Sequence, residues 1–254
     1  ILGAIVATIP DLDVALKPFY SGLQNISIQR GYSHSMLFSI IGAFLITYVL
    51  SQIKWTNQIA KARLWLFSWL TLFTHILLDA FTSYGTQLFL PFTDWRVSFD
   101  SINIVDLVYT VPLLIGVWVS VFYYGKSEKK RSLPNTIGLI ISSLYLLFTF
   151  ANKQHIEQVF NSQLEVQNIS SFQLLTVPVK VGNMVWYGVA KDENQLHIGK
   201  YSILDNNKIE FHSFPINDQL FEGLDDYLVD RMKWFAQGFY TVAEKDGKIR
   251  VYNM

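Results

Sequence analysis

Thr74-His75-Ile76-Leu77-Leu78-Asp79 sits inside a run of apolar and aromatic residues from Ala62 to Phe81. Four positions separate His75 from Asp79, so on a helix both side chains leave one face, one turn apart. Two ionisable groups in such a run are costly to bury without compensation, and in a membrane helix they mark a functional site by default. At this point two compensations are open: a bound metal ion, or a His–Asp hydrogen bond that satisfies itself inside a helix bundle.

Composition sets the class around this stretch. Of 254 residues 51% are hydrophobic, 15% aromatic and 16% charged, with a mean hydropathy of +0.26, which is too apolar for an ordinary soluble domain. The expectation is an integral membrane protein. A formal net charge of zero points away from nucleic acid. Cysteine is absent, so His and carboxylates are the strong metal ligands left, and these suit a hard or borderline divalent ion. The stretch 1–9 reads as the tail of a longer apolar helix, which predicts a further segment upstream.

Working outward, Pro10 closes that stretch, and Asp11 and Asp13 follow as a D-x-D pair able to turn towards one ion. His34 stands at the mouth of the next apolar run. The runs 1–9, 35–53, 62–81, 102–124 and 133–152 read as about five membrane spans, with Asp106 a few residues inside the fourth. Five crossings put Lys54, Lys61, Arg63, Lys126, Lys129, Lys130 and Arg131 on one face, and Lys17, Arg30 and Arg96 on the other. The positive-inside rule makes the first face cytoplasmic. Asp11, Asp13, His34, His75, Asp79 and Asp106 then converge on the extracytoplasmic end, which tips the reading towards a shared metal site.

Six groups exceed what one tetrahedral zinc needs. They suit a two-metal centre, or one metal with a general base drawn from Asp11, Asp13 or Asp106. Arg30 and Arg96 are candidates to clamp an anionic substrate group such as phosphate, although each taken singly also reads as a lipid-headgroup anchor.

The last third changes character. Period-two alternation at 184–190, 196–203 and 208–214, with the turn Asp205-Asn206-Asn207, predicts antiparallel strands. An amphipathic helix is expected over about 218–236 with Leu224, Leu228 and Phe235 inward, then a hairpin around Asp246-Gly247. The chain is therefore expected to be an all-α membrane helix bundle over 1–156 followed by a small soluble α+β domain over 157–254, extracytoplasmic by the same count of crossings. His197 and His212 read as structural, facing solvent or pair-bonded.

The PDLD at 10–13, RGYSHS at 30–35, HILLDAFTSYG at 75–85 and PF…DWRV…INIVDLVYTVPLL from 91 to 114 resemble the bacterial membrane-bound metal-dependent hydrolases, also called YdjM-like or LexA-regulated inner-membrane hydrolases. The likeness covers residues 1 to about 120 with the motifs in the same order. It implies a multi-span membrane fold with a divalent-metal hydrolase centre, and by position it points to Asp11, Asp13, His34, His75, Asp79 and Asp106.

Residues and resemblance together lead to a membrane-embedded hydrolase holding one or two divalent ions, zinc first, with manganese or iron as alternatives. It is expected to work at the extracytoplasmic membrane surface on a phospholipid or lipid-linked phosphoester. Its partners would be the lipid bilayer and an amphiphilic small molecule, not nucleic acid. Two other classes stay open: a non-catalytic membrane protein whose metal braces the bundle while the soluble domain binds a partner, and a metal or proton transporter. The crowding of ionisable groups at one end counts against the transporter.

Overall fold

The structure is a computed structural model that describes residues 2–20, 22–124, 130–179, 181–204 and 208–254. It resolves into two compact units, Ile1–Phe99 with Leu224–Gln237, and Asp100–Gly223 with Gly238–Met254.

The first unit is helical. Helix α1 (Leu2–Ala7) leads into a 3-10 helix, Pro10–Phe19, which Pro10 opens with its preset φ. Helix α2 (Gly22–Ile28) and a 3-10 turn, Tyr32–His34, precede α3 (Met36–Gln52). Ser35 starts α3 by accepting the Phe38 N–H at 3.0 Å, the usual N-cap arrangement. Helix α4 (Lys61–Ala80) buries Leu64, Ser68, Leu72, Ile76 and Ala80, a stripe at i, i+4 spacing. It runs antiparallel to α3: the Phe44 and Trp65 rings are 5.5 Å apart at one end and the His34 and His75 rings 5.6 Å apart at the other. Gly42 gives Leu72 room between them. Ile76 and Ala80 pack on Leu88 and Val97 of the loop that follows, which a Thr86–Val97 bridge pins. Helix α7 (Asp226–Phe235) completes the unit.

The second unit is built on α5 (Leu107–Phe122) and the long α6 (Ser132–Val166). Gly116 and Gly138 bring the two backbones so close that a Cβ at either would meet a carbonyl of the other helix. Ser142 Oγ donates across the interface to the Tyr109 carbonyl at 2.7 Å. Helix α6 works in two environments. Its first half turns Ile137, Ile140, Ile141, Leu144 and Leu147 outward, a surface suited to lipid. Its second half buries Ile156, Phe160 and Leu164, one turn apart, with Ile156 and Phe160 packed on Trp186 and Ile209. Above it lies the antiparallel sheet β1 (Gln173–Pro178), β2 (Val185–Lys191), β3 (Gln195–Ser202) and β4 (Phe211–Pro215), in that order. A separate hairpin, β5 (Tyr240–Lys245) and β6 (Lys248–Asn253), turns at Asp246 and Gly247, both at positive φ as a type I′ turn requires.

The expected five spans do not survive. Among the described residues one helix, α6, is long and apolar enough to cross a membrane, or two if residues 24–34 and α3, bent by 57°, form one span. Helix α5 has 16 residues, about 24 Å of rise against a hydrocarbon core of about 30 Å. Helix α1 has six, and α4, though 20 residues long, carries Lys61, Arg63, His75 and Asp79. The assignment of cytoplasmic and extracytoplasmic faces rested on five crossings and loses its basis with them. Lys126, Lys129 and the turn Asp205-Asn206-Asn207 lie outside the described residues.

Two further differences concern details. Residue 156 lies in mid-helix, so α6 is continuous across the boundary expected there. The helix expected over 218–236 is a 3-10 turn, Asp218–Phe221, then Gly223 at φ 81°, then α7 capped by Asp225. Leu224 and Leu228 are exposed rather than inward.

Candidate metal centre

Three separate stretches bring ligands to one point in the first unit. Asp11 comes from the opening turn of the 3-10 helix at Pro10, His34 from the turn before α3, and His75 and Asp79 from the last turns of α4. One ligand atom from each of the four lies within 4.8 Å of all the others. His34 Nε2 stands 3.4 Å from Asp11 Oδ1 and 3.2 Å from Asp79 Oδ2. His75 Nε2 stands 3.6 Å from Asp11 Oδ1 and 3.8 Å from Asp79 Oδ2.

These separations can be tested against an ion. Ligands at about 2.0–2.1 Å around a tetrahedral zinc stand about 3.3–3.4 Å from one another. Four short edges of 3.2–3.8 Å fit such a ligand set, and so does its chemistry of two imidazoles and two carboxylates. The stronger sign is what the atoms do not do. His34 Nε2, His75 Nε2 and Asp79 Oδ2 are all buried and none has a hydrogen-bond partner. Buried polar atoms are nearly always paired, so three unpaired ones aimed at one point fit a cation between them.

The surroundings hold these ligands in place. Asp13 Oδ2 accepts the Arg30 N–H at 3.0 Å and the Ser33 hydroxyl at 3.2 Å, and lies 3.6 Å from His34 Nδ1. Ser33 Oγ is itself 3.0 Å from that nitrogen. A carboxylate and a hydroxyl on Nδ1 favour the tautomer that leaves Nε2 free to ligate. Arg30 Nη2 donates to Asp79 Oδ1 at 3.1 Å and Nη1 donates to Thr82 Oγ1 at 2.7 Å, so only Oδ2 of Asp79 faces the cluster.

The backbone explains how Arg30 gets there. Arg30 sits at φ 53°, an uncommon conformation for a side-chain-bearing residue, steadied by Asp13 on its N–H and by the Gln87 N–H on its carbonyl. At the next position a Cβ on Gly31 would lie 2.8 Å from the Ile28 carbonyl oxygen, so the RGYSH turn requires glycine there.

The structure thus brings together four of the six expected ligands, Asp11, His34, His75 and Asp79. Asp13 orients His34 from behind. Asp106, in the second unit, is otherwise engaged: Oδ1 caps α5 by accepting the N–H groups of Val108 and Tyr109, and Oδ2 accepts the Tyr145 hydroxyl at 2.8 Å. Of the two arginines proposed to clamp substrate, Arg30 borders the cluster. Arg96 is 5% exposed, donates to the carbonyls of Phe235 and Tyr84, and lies over the rings of Tyr84, Trp234 and Phe235. Burial brings its guanidinium down to about 10, still charged at neutral pH.

Ser33 and Thr82 join the site without having been singled out from sequence. Ser33 had one signal, its place directly before His34. In the second unit His197 is buried and pair-bonded, with Nδ1 2.8 Å from Ser213 Oγ and Nε2 3.0 Å from Asp192 Oδ2.

The family model described as YdjM inner membrane protein matches residues 1–156. The protein YfhP of Bacillus subtilis (strain 168) is 28% identical over 138 residues, covering 54% of this chain and 38% of that protein. Inner membrane protein YbcI of Escherichia coli (strain K12) is 32% identical over 83 residues, 33% of this chain and 46% of YbcI. The chain thus spans less than half the length of these curated relatives. No solved structure matches.

Proposed function

The chain belongs to the YdjM inner membrane protein family, and from that premise we propose that it is a metal-dependent hydrolase of the inner membrane acting on a phosphoester of an amphiphilic molecule. The observation that carries the reading is the convergence of three buried, unpaired ligand atoms, His34 Nε2, His75 Nε2 and Asp79 Oδ2, with Asp11 at the rim.

Asp11, His34, His75 and Asp79 would hold the ion. A divalent ion bound there supplies a lowered pKa to a coordinated water and polarisation to a phosphoryl oxygen. The protein's part is positional. Ser33 and Asp13 fix the His34 ring, and Arg30 fixes the Asp79 carboxylate. The Asp11 side chain is 60% exposed, which opens the cluster to solvent and to substrate on that side and lets its carboxylate take a proton from an attacking water. Arg30 carries the positive charge nearest the ligands and is placed to attract an anionic group. Leu12, Leu16 and Phe19, exposed on the 3-10 helix that bears Asp11, supply an apolar rim suited to an acyl chain.

A second reading has one observation behind it: four protein ligands are the number that closes a structural zinc site. The two readings separate by experiment. Purified protein reconstituted in lipid is assayed for metal-dependent phosphate or phosphoalcohol release from lipid phosphoesters, wild type beside Asp11→Asn. Release that requires metal and falls steeply in Asp11→Asn supports the hydrolase. No metal-dependent release from any phosphoester, with metal-dependent thermal stability retained, rejects it in favour of the structural ion.

A further inference from the structure

We infer that the groove between the C-terminal half of α3 and the N-terminal half of α4 binds an anionic phospholipid, one acyl chain lying in the groove and the phosphate on Lys61. This site stands apart from the metal centre and does not depend on it. The two lie towards opposite ends of the α3–α4 pair, about 15–25 Å apart by the rise from His34 to the lining residues Phe44 and Ser51.

The groove holds about 570 Å³, within the range of about 300–1,000 Å³ common for small-molecule sites. Phe44 and Tyr48 of α3 and Ala62 and Trp65 of α4 wall it. Thr47, which also lines it, spends its hydroxyl on the Ala43 carbonyl at 2.7 Å, leaving its methyl as the surface on offer. The walls are therefore suited to hydrocarbon. Ser51, at the same groove, spends its hydroxyl on the Tyr48 carbonyl at 2.7 Å. The Trp65 indole Nε1 is buried and has no hydrogen-bond partner. Burial closes that N–H off from the groove, so the surface Trp65 offers there is its apolar ring. Lys61 lines the same groove one helical turn before Trp65.

Charge selects the occupant. Lys54, Lys61 and Arg63 cluster at this end of the helix pair, and no Asp or Glu occurs anywhere from residue 14 to 78. Exposed Trp55 in the connecting link adds the amphipathic anchor typical of a membrane interface. Basic pockets between helices at a membrane surface are a common form of anionic-lipid site. A zwitterionic lipid would fill the groove equally but would gain less from the three cations.

The test is native mass spectrometry of the metal-free full chain, in which no ion at the metal centre draws a lipid phosphate, titrated with 1-palmitoyl-2-oleoyl phosphatidylglycerol or the corresponding phosphatidylcholine. Wild type should retain one phosphatidylglycerol in preference to phosphatidylcholine by about five-fold or more, the value of one lysine near a lipid phosphate. Lys61→Glu should erase that preference. Thr47→Trp, which fills the groove, should weaken retention of both lipids, and Lys17→Glu in the Pro10–Phe19 helix should change neither. Equal retention of the two lipids by wild type overturns the proposal, as does an unchanged preference in Lys61→Glu. Lys61 is exposed, so that variant carries the test if Thr47→Trp fails to fold.

Discussion

His34 Nε2 stands 3.2 Å from Asp79 Oδ2, yet neither atom takes part in a hydrogen bond. A His–Asp pair that satisfied itself would have turned one N–H onto one oxygen. Here the ring and the carboxylate face a common point, and His75 Nε2 faces it as well, also unpaired. Leaving a buried polar group unpaired costs about 1–3 kcal/mol. Three such groups together are accounted for by one shared cation.

An ion that binds only the folded chain adds stability by mass action, about 2.7 kcal/mol at a hundred-fold excess over its Kd. Stripping metal with a chelator should therefore lower the thermal midpoint by several degrees, and zinc or manganese should restore it. In His75→Ala the midpoint should no longer respond to metal. Differential scanning fluorimetry with and without chelator checks both.

Asp13 and Ser33 act on the metal through the His34 ring. Replacing such outer partners commonly weakens metal affinity about 10–100-fold. Asp13→Ala should fall in that range, and Ser33→Ala should shift affinity in the same direction by less. Competition against a chromophoric chelator reads the constants directly. A loss of all binding in Asp13→Ala would instead make Asp13 a ligand.

Arg30 and Asp79 form a largely buried ion pair, with side chains 14% and 16% exposed. Removing one partner strands the other charge, at a cost of about 3–5 kcal/mol when burial is complete and less here. Arg30→Ala should thus destabilise the metal-free protein most, and added metal should recover part of the loss by neutralising Asp79. Chemical denaturation with and without metal gives the difference.

In the second unit, a Cβ on Gly188 would lie 2.4 Å from the Phe160 ring. Gly188→Ala should destabilise the unit through that clash, and Phe160→Ala should cost about 3–5 kcal/mol by leaving a cavity. The double variant should be less damaged than the sum of the two, because the added methyl then enters vacated space. A double-mutant cycle in urea measures the coupling.

The Asp192 carboxyl is held below its usual range. Burial pushes it up, but hydrogen bonds from His197 and from the Asn194 and Gln195 N–H groups outweigh that. A carboxyl lowered in the folded state adds stability above its unfolded pKa and loses it as pH falls through the folded value. Stability of the sheet unit should decline with acidification below the ordinary carboxylate range, and Asp192→Asn should flatten that limb. Midpoints measured in a pH series report the slope.

Helices were legible in the chain where membrane spans were not. The apolar runs at 35–53, 62–81, 102–124 and 133–152 each contain a helix, but their ends were counted as part of the crossing. Ser35 turned out to be a cap, and Asp106, which seemed to lie inside a span, ends a non-helical stretch and caps α5. Hydropathy cannot tell a residue that starts a helix from one that continues it. Strand β1 escaped notice because its alternation is only six residues long and closes on Pro178.

The site was legible to the extent that its residues lie near one another in local motifs. His75 and Asp79 share a helix face, and that relation is readable from spacing. The D-x-D at Asp11 and Asp13 offers two equivalent carboxylates, and only the fold separates the one facing the cluster from the one supporting His34. Arg96 was read as a substrate clamp or a lipid-headgroup anchor because the rings and carbonyl that enclose it include Trp234 and Phe235, far along the chain.

Metal content of the purified protein, wild type beside His34→Ala and Asp79→Ala, tests the shared centre most directly. Near-stoichiometric zinc, manganese or iron in wild type, absent from both variants while each keeps its wild-type circular dichroism, is the predicted result. Wild type that neither carries nor can be reloaded with a divalent metal, or folded variants that keep the wild-type content, would contradict it.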